Sequence, residues 1–188
     1  MTGAENRTIR ILAISGSLRA VSVNTAVLRA VQALAPEGVE VILYAGLGDL
    51  PHFNPDLEEH EPAAVTDFRV KVRAADGLLI SSPEYAHGVP GVLKNALDWL
   101  VGGEEFIDKP VALLNATPPA EYAQASLTET ITVMSGRLVP EASIAVPLRG
   151  SKLDAAGIAA RPEIAAALRE ALRVFAEAIE RFRAEARR

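Results

Sequence analysis

Hydrophobic positions follow two rhythms along this chain. Short, nearly unbroken apolar runs fall at 9–14, 77–82 and 110–116, an alternating run at 39–44, and a fifth run at 138–146. Runs of this kind predict strands, the unbroken ones being buried on both faces of a parallel sheet. Between them, apolar residues recur three and four apart, which predicts helices with one inward face. Val27, Leu28, Val31, Leu34 and Ala35 mark the first helix, which Pro36 and Gly38 end. Val65, Phe68, Val72 and Ala75 mark a second over 62–75. A third starts at Pro90, a residue suited to a first helical position. Leu127, Ile131 and Met134 mark a fourth over 122–135. Ile164, Leu168, Leu172, Phe175, Ile179 and Phe182 line a long last helix opened by Pro162.

Pro140 inside the fifth run removes a ladder donor, so that strand is expected at the sheet edge. Residues 46–61 read as a long loop punctuated by Pro51 and Pro55, and 148–160, with Gly150 and Gly157, as a mobile loop. Strands alternating with helices, short crossovers, no domain-scale linker and no repeat predict one α/β domain over 1–188. A doubly wound five-stranded parallel sheet of order 2-1-3-4-5, with helices on both faces, fits the count. Its switch point lies between strands one and three, where such sheets bind ligands beyond the strand carboxyl ends.

Composition narrows the classes. With 49% apolar residues and 188 in all, the chain can build a sizeable core. The formal net charge of −5 speaks against a dedicated nucleic-acid binder. The chain has no cysteine, which excludes disulfides, thiol catalysis and thiolate metal sites. No apolar run approaches the ~20 residues of a membrane helix. Residues 1–6 are polar and show no signal-peptide hydrophobic region, so a cytoplasmic protein is expected. Arg187 and Arg188 are expected to fray.

The two loops after strands one and three carry the candidate chemistry. The first presents hydroxyls at Ser15, Ser17, Ser22 and Thr25 and one guanidinium at Arg19, just ahead of a helix start. Unpaired N–H groups at a helix start attract anions, and a guanidinium forks phosphate oxygens. The loop is neither Gly-x-Gly-x-x-Gly nor a P-loop, so a monophosphate suits it better than a dinucleotide or nucleoside triphosphate. A plainer reading makes Ser22 or Asn24 only a helix cap. The second loop offers a flat apolar wall at Pro83 and Tyr85, suited to a planar ring or simply to packing. Glu84 is either an acid–base group or a carboxylate bonded to backbone or water, and His87 either a donor or surface decoration. His52, His60 and His87 are too widely spaced to pair on a metal, so no metal site is expected.

The helix after the second loop sorts by face. Leu93, Ala96, Leu97 and Leu100 point to the sheet, while Lys94 and Asp98 form a solvated pair. Val92, Asn95 and Trp99 form a further stripe, readable as an oligomer contact or as a core edge.

Two motifs carry a family resemblance. Gly16-Ser17-Leu18-Arg19 with Ser22 and Asn24, and Pro83-Glu84-Tyr85 with Pro90-Gly91-Val92-Leu93-Lys94-Asn95-Ala96-Leu97-Asp98-Trp99, resemble the NAD(P)H-dependent FMN reductases, a flavodoxin-like family that includes quinone, azo and chromate reductases. The resemblance runs over nearly the whole chain. It implies that Ser17, Arg19, Ser22, Asn24 and Thr25 hold the phosphate of FMN. It also implies that Pro83, Glu84, Tyr85 and Ala86 line the ring, with Asn115, Ala116 and Thr117 as a third flavin-contacting loop. It implies NADPH or NADH as co-substrate, a small electron acceptor (quinone, azo dye, nitroaromatic, chromate or free flavin), and a homodimer or homotetramer. The chemistry lies with the cofactor, so no catalytic side chain is assigned. The rival readings are a flavin-binding electron carrier or regulatory module without turnover, and a protein of the same fold binding another phosphorylated ligand. The chain departs from the family at Ala86, where Asn is frequent, and at Pro118-Pro119-Ala120-Glu121-Tyr122, which is expected to narrow the acceptor mouth.

Overall fold

The computed structural model describes residues 7–186; the expectations for residues 1–6, Arg187 and Arg188 lie outside the described residues. Among these, the strands are β1 (Ile9–Ser15), β2 (Val39–Leu43), β3 (Gly77–Ser81), β4 (Pro110–Asn115), β5 (Arg137–Leu138) and β6 (Ile144–Ala145). The α-helices are α1 (Val23–Ala33), α2 (Ala63–Ala74), α3 (Gly91–Asp98), α4 (Glu121–Val133), α5 (Ala155–Ala159) and α6 (Pro162–Ala186). The sheet is parallel, with order β2-β1-β3-β4-β5 and β6 also on β4. This is the predicted doubly wound order.

Period-two alternation divides the core into two layers. Ile11, Ala13, Leu79, Ala112 and Leu114 pack toward α1, α5 and α6, with Leu28, Leu168, Leu172 and Phe175. Leu12, Ile14, Leu78, Ile80, Val111 and Leu113 pack toward α2, α3 and α4, with Phe68, Leu93, Leu97 and Ile131. Both faces of the inner strands are therefore apolar, which is why their sequence reads as unbroken hydrophobic runs.

Three expectations need correction. The 138–146 run is not one strand. A 3₁₀ turn, Pro140–Ala142, separates β5 from β6, because Pro140 cannot donate to the ladder. Ser143 repairs the gap: its Oγ accepts the Leu113 N–H at 3.0 Å and donates to the Val139 carbonyl at 2.9 Å. The 148–160 segment is not wholly loop, since it holds α5, capped by Asp154, whose carboxylate accepts the Gly157 N–H at 2.8 Å. Ile158 is fully buried, so this short helix is a packed element too brief to show a period. Pro90 caps α3 and precedes its first turn instead of lying within it.

In the third stripe of α3, Val92 and Asn95 are half-buried while Trp99 turns inward, as its core-edge reading has it. Trp99 is completely buried. Its Nε1–H donates to the Pro51 carbonyl at 2.8 Å, and Phe53 meets its ring edge-on at 5.0 Å. Asn95 donates to the same Pro51 carbonyl at 3.0 Å and accepts the Phe53 N–H at 2.7 Å. The 46–61 segment, which contains two 3₁₀ turns, is thus pinned to α3 by two side chains. On the other side, Arg69 donates to the Trp99 carbonyl from Nε (3.1 Å) and Nη2 (2.7 Å), closing the helix end. No described helix is long and apolar enough to cross a membrane.

Trp99→Ala is expected to lower stability by about 3–5 kcal/mol, read as a shift in the urea midpoint, while light scattering shows the same mass as wild type. A lowered mass at unchanged stability would return Trp99 to an intermolecular role.

Candidate functional site

The strands that end side by side at the switch point are β1 and β3, with Ser15 in register with Ser81. The Gly16 N–H continues the ladder by donating to the Ser81 carbonyl at 2.8 Å. A Cβ on Gly16 would lie 2.7 Å from Ser82 Oγ and 3.2 Å from Leu93 Cδ2. A side chain at position 16 would crowd the Ser82 hydroxyl and Leu93, so glycine suits this close approach of the two loops.

Beyond this contact the first loop folds on its own hydroxyls. Ser15 Oγ and Thr25 Oγ1 are 2.8 Å apart, and Ser15 Oγ also accepts the Ser17 N–H at 3.3 Å. Ser22 is the N-cap of α1, with Oγ accepting the Thr25 N–H at 3.4 Å. The capping reading of Ser22 therefore holds, and it does not compete with ligand binding, since N–H groups of the first turn have no intrahelical acceptor. Asn24 is buried, its Oδ1 accepting the Ser81 hydroxyl at 2.9 Å, so the helix start is tied directly to the end of β3.

The second loop is a tight hairpin. Tyr85 and Gly88 exchange backbone hydrogen bonds of 3.1 and 2.9 Å around Ala86 (φ 48°) and His87 (φ 61°). Positive φ at both central positions is the type I′ turn, which favours Asn-Gly; this chain builds it from two residues that carry a Cβ. The hairpin is held from outside the sheet. Glu84 Oε2 accepts the Ala123 N–H at 2.8 Å in the first turn of α4, and the His87 ring stacks on Tyr122 at 4.1 Å and 18°. Ala120, the residue before α4, supplies no cap of its own, so Glu84 takes the role.

These loops enclose a cleft of about 320 Å³, lined by Ser17, Arg19, Ser22, Val23, Asn24, Pro83, Glu84, Tyr85, Thr117, Pro119, Ala120 and Arg149. Eight of the twelve residues singled out in the sequence line it: Ser17, Arg19, Ser22, Asn24, Pro83, Glu84, Tyr85 and Thr117. The other four stand behind or beside it. Thr25 turns its hydroxyl to Ser15. Ala86 sits exposed at the hairpin corner. Asn115 Oδ1 accepts the Thr117 N–H at 3.1 Å, shaping the third loop, and Ala116 is fully buried. Of the Pro118-Pro119-Ala120-Glu121-Tyr122 run, Pro119 and Ala120 line the cleft. Val23 and Arg149 were not foreseen. Arg149 carried one legible signal, the Gly150 that follows it, which marks a turn. Among the described residues no group of acidic or histidine side chains could hold a metal ion.

A parallel sheet with this order, whose cleft joins a hydroxyl- and guanidinium-bearing helix start to an aromatic hairpin across the switch point, defines a flavodoxin-like protein. The sequence profile of NADPH-dependent FMN reductases matches residues 9–149, and the chain belongs to that oxidoreductase family. An NAD(P)H-dependent FMN reductase of Pseudomonas aeruginosa is 36% identical over 155 residues, which is 79% of this chain and 83% of that protein. A quinone reductase of Escherichia coli is 38% identical over 106 residues, 55% of this chain and 55% of that protein. Among solved structures, the flavoenzyme FerB of Paracoccus denitrificans, an NAD(P)H:(acceptor) oxidoreductase, matches with a TM-score of 0.78 at 28% identity, over 93% of this chain and 99% of that one.

The hairpin makes a stability forecast. Ala86→Asn, which tolerates left-handed backbone better than Ala, is expected to stabilise the protein by about 0.5–1 kcal/mol, measured by urea denaturation. No gain, or a loss, would mean that the Ala86 methyl makes contacts outweighing the backbone preference.

Proposed function

We propose that the protein uses bound FMN to pass electrons from NADPH or NADH to a small acceptor, with a quinone or a flavin as the acceptor class nearest to its relatives' activities. The supporting observation is the convergence, in one cleft, of Ser17, Arg19 and Ser22 with Pro83, Glu84 and Tyr85, groups more than sixty residues apart in the chain. The donor set fits the cofactor's two ends. Hydroxyls, first-turn N–H groups and a guanidinium suit a phosphate monoester. Pro83, Tyr85, Pro119 and Ala120 give apolar walls of the kind that hold a flat ring, and the volume lies at the lower end of the roughly 300–1,000 Å³ typical of small-molecule sites.

In this reading Ser17, Arg19 and Ser22 bind the phosphate, while Asn24 positions α1 through its bond to Ser81. Pro83 and Tyr85 orient the ring. Glu84 is given a structural role: its Oε2 accepts the Ala123 N–H, and it holds the hairpin against α4. Hydride acceptance and release is the chemistry that the flavin supplies when bound. The protein supplies place and orientation, and no proton-transferring side chain is required. Tyr85, Pro119 and Ala120 line the part of the cleft that would be left to nicotinamide and acceptor once the flavin is held. Thr25, Ala86, Asn115 and Ala116 support the site from outside its lining. A homodimer or homotetramer and a cytoplasmic setting belong to the same proposal.

Purified protein loaded with FMN is expected to show a flavin absorption band that bleaches anaerobically on adding NADPH or NADH and returns on adding a quinone. A band that resists both nucleotides would mark a carrier or regulatory module, and failure to take up FMN would point to another phosphorylated ligand. Arg19→Ala is expected to weaken FMN binding about 10- to 100-fold and riboflavin binding little, as read by quenching of flavin fluorescence; equal losses would remove Arg19 from the phosphate.

A further inference from the structure

A second arginine, Arg149, lines the cleft, and it stands on an anchored backbone. Arg149 follows Leu148, which is buried in the same core layer as α1 and whose N–H donates to the Ala116 carbonyl at 3.2 Å. The Leu148 carbonyl accepts the Ser151 N–H at 2.9 Å, and Gly150 lies at φ 73°. This is the pattern of a type II turn, with Arg149 at its first corner and the obligatory glycine at its second. Leu148 anchors one side of the turn. On the other side Ser151 Oγ accepts the Leu153 N–H at 3.1 Å, and Asp154 caps α5, which packs on α1. The exposed side chain thus stands on a short, anchored turn in the layer of α1, not on a free loop.

The charges of the cleft indicate what it meets. The charged residues lining it are Arg19, Glu84 and Arg149. Neither guanidinium has a carboxylate within salt-bridge distance among the described residues, and Glu84 is bonded to the Ala123 N–H. A phosphate monoester carries up to two negative charges near neutral pH, about −1.5 to −2 for the phosphomonoesters of proteins. One arginine leaves part of that charge to hydroxyls and N–H dipoles; two balance it.

We infer that Arg149 is a second clamp on the phosphate monoester of the bound flavin nucleotide, closing on it from the β6–α5 turn while Arg19 holds it from the β1–α1 loop. This rests on the proposed reading of the cleft as an FMN site. Arg149 is a binding residue in this scheme, and it reaches the phosphate only because Leu148 is fastened to the end of β4.

The test is a titration of the apoprotein with FMN and with riboflavin, followed by flavin fluorescence, at several salt concentrations. Arg149→Gln is expected to lower FMN affinity about 10- to 100-fold, to leave riboflavin affinity within about twofold, and to flatten the salt dependence of FMN binding. Arg149→Lys, which keeps the charge but loses the fork, is expected to recover part of the loss. Unchanged FMN affinity in Arg149→Gln overturns the inference, and if the KM for NADPH then rises, the guanidinium serves the nucleotide co-substrate instead. Equal losses for both flavins also overturn it, since they mark a general change in cleft shape. Wild-type protein without preference for FMN over riboflavin removes the reading of the cleft itself, a failure seen before any variant is made.

Discussion

A single backbone hydrogen bond, from the Gly16 N–H to the Ser81 carbonyl, sets the distance between the two halves of the cleft. Glycine at residue 16 eases this approach, since a Cβ there would press on the Ser82 hydroxyl and on Leu93 of α3. The phosphate-type loop and the aromatic hairpin thus share one attachment point. The Asn24–Ser81 bond adds a second link between the same elements, from the helix side. Both links follow from the parallel pairing of β1 with β3, which leaves α1 and α3 on opposite faces and a crevice above the strand ends.

The outer wall is built differently. Its groups come from the carboxyl ends of β4 and β6, and α4 reaches back through Glu84 and the His87–Tyr122 stack. Ala86 and His87 stand here in a turn type that favours Asn-Gly, and Pro119 lies at the cleft. The left-handed backbone of two residues with side chains is a local cost of roughly 1–2 kcal/mol each, borne where the structure holds the turn from both sides. Strain of this sort is at home in binding loops on a rigid scaffold.

The long central elements were legible because burial on both faces leaves no room for polar residues, so β1, β3 and β4 announce themselves as apolar runs. The site was legible for a related reason. Hydroxyls clustered before a helix, and a Pro-Glu-Tyr turn after a buried strand, are local chemistry, and local chemistry is written in adjacent residues. What escaped reading was decided by distant partners. The break between β5 and β6 depends on the Ser143 hydroxyl finding Leu113 across the sheet. The five residues of α5 are too few for a period and become a helix through Asp154 and a buried Ile158. Trp99 stayed open between an oligomer contact and a core edge because nothing local shows that Pro51 and Phe53, more than forty residues earlier, come back to cover it.

By itself, then, the sequence determined the alternation of elements, the parallel order that short crossovers impose, and the identity of the two loops that meet at the switch point. Periodicity and turn chemistry act over a few residues and need no knowledge of the fold. Only the tertiary structure decided which members of those motifs face the cleft and which stand behind it. Thr25 and Asn115 carry the right chemistry but direct it to Ser15 and to Thr117. Arg149, in no motif, is carried into the cleft by a buried leucine bonded to the end of β4. The direction of a side chain depends on what the backbone behind it is fastened to, and in this protein those fastenings join residues that are far apart in the chain.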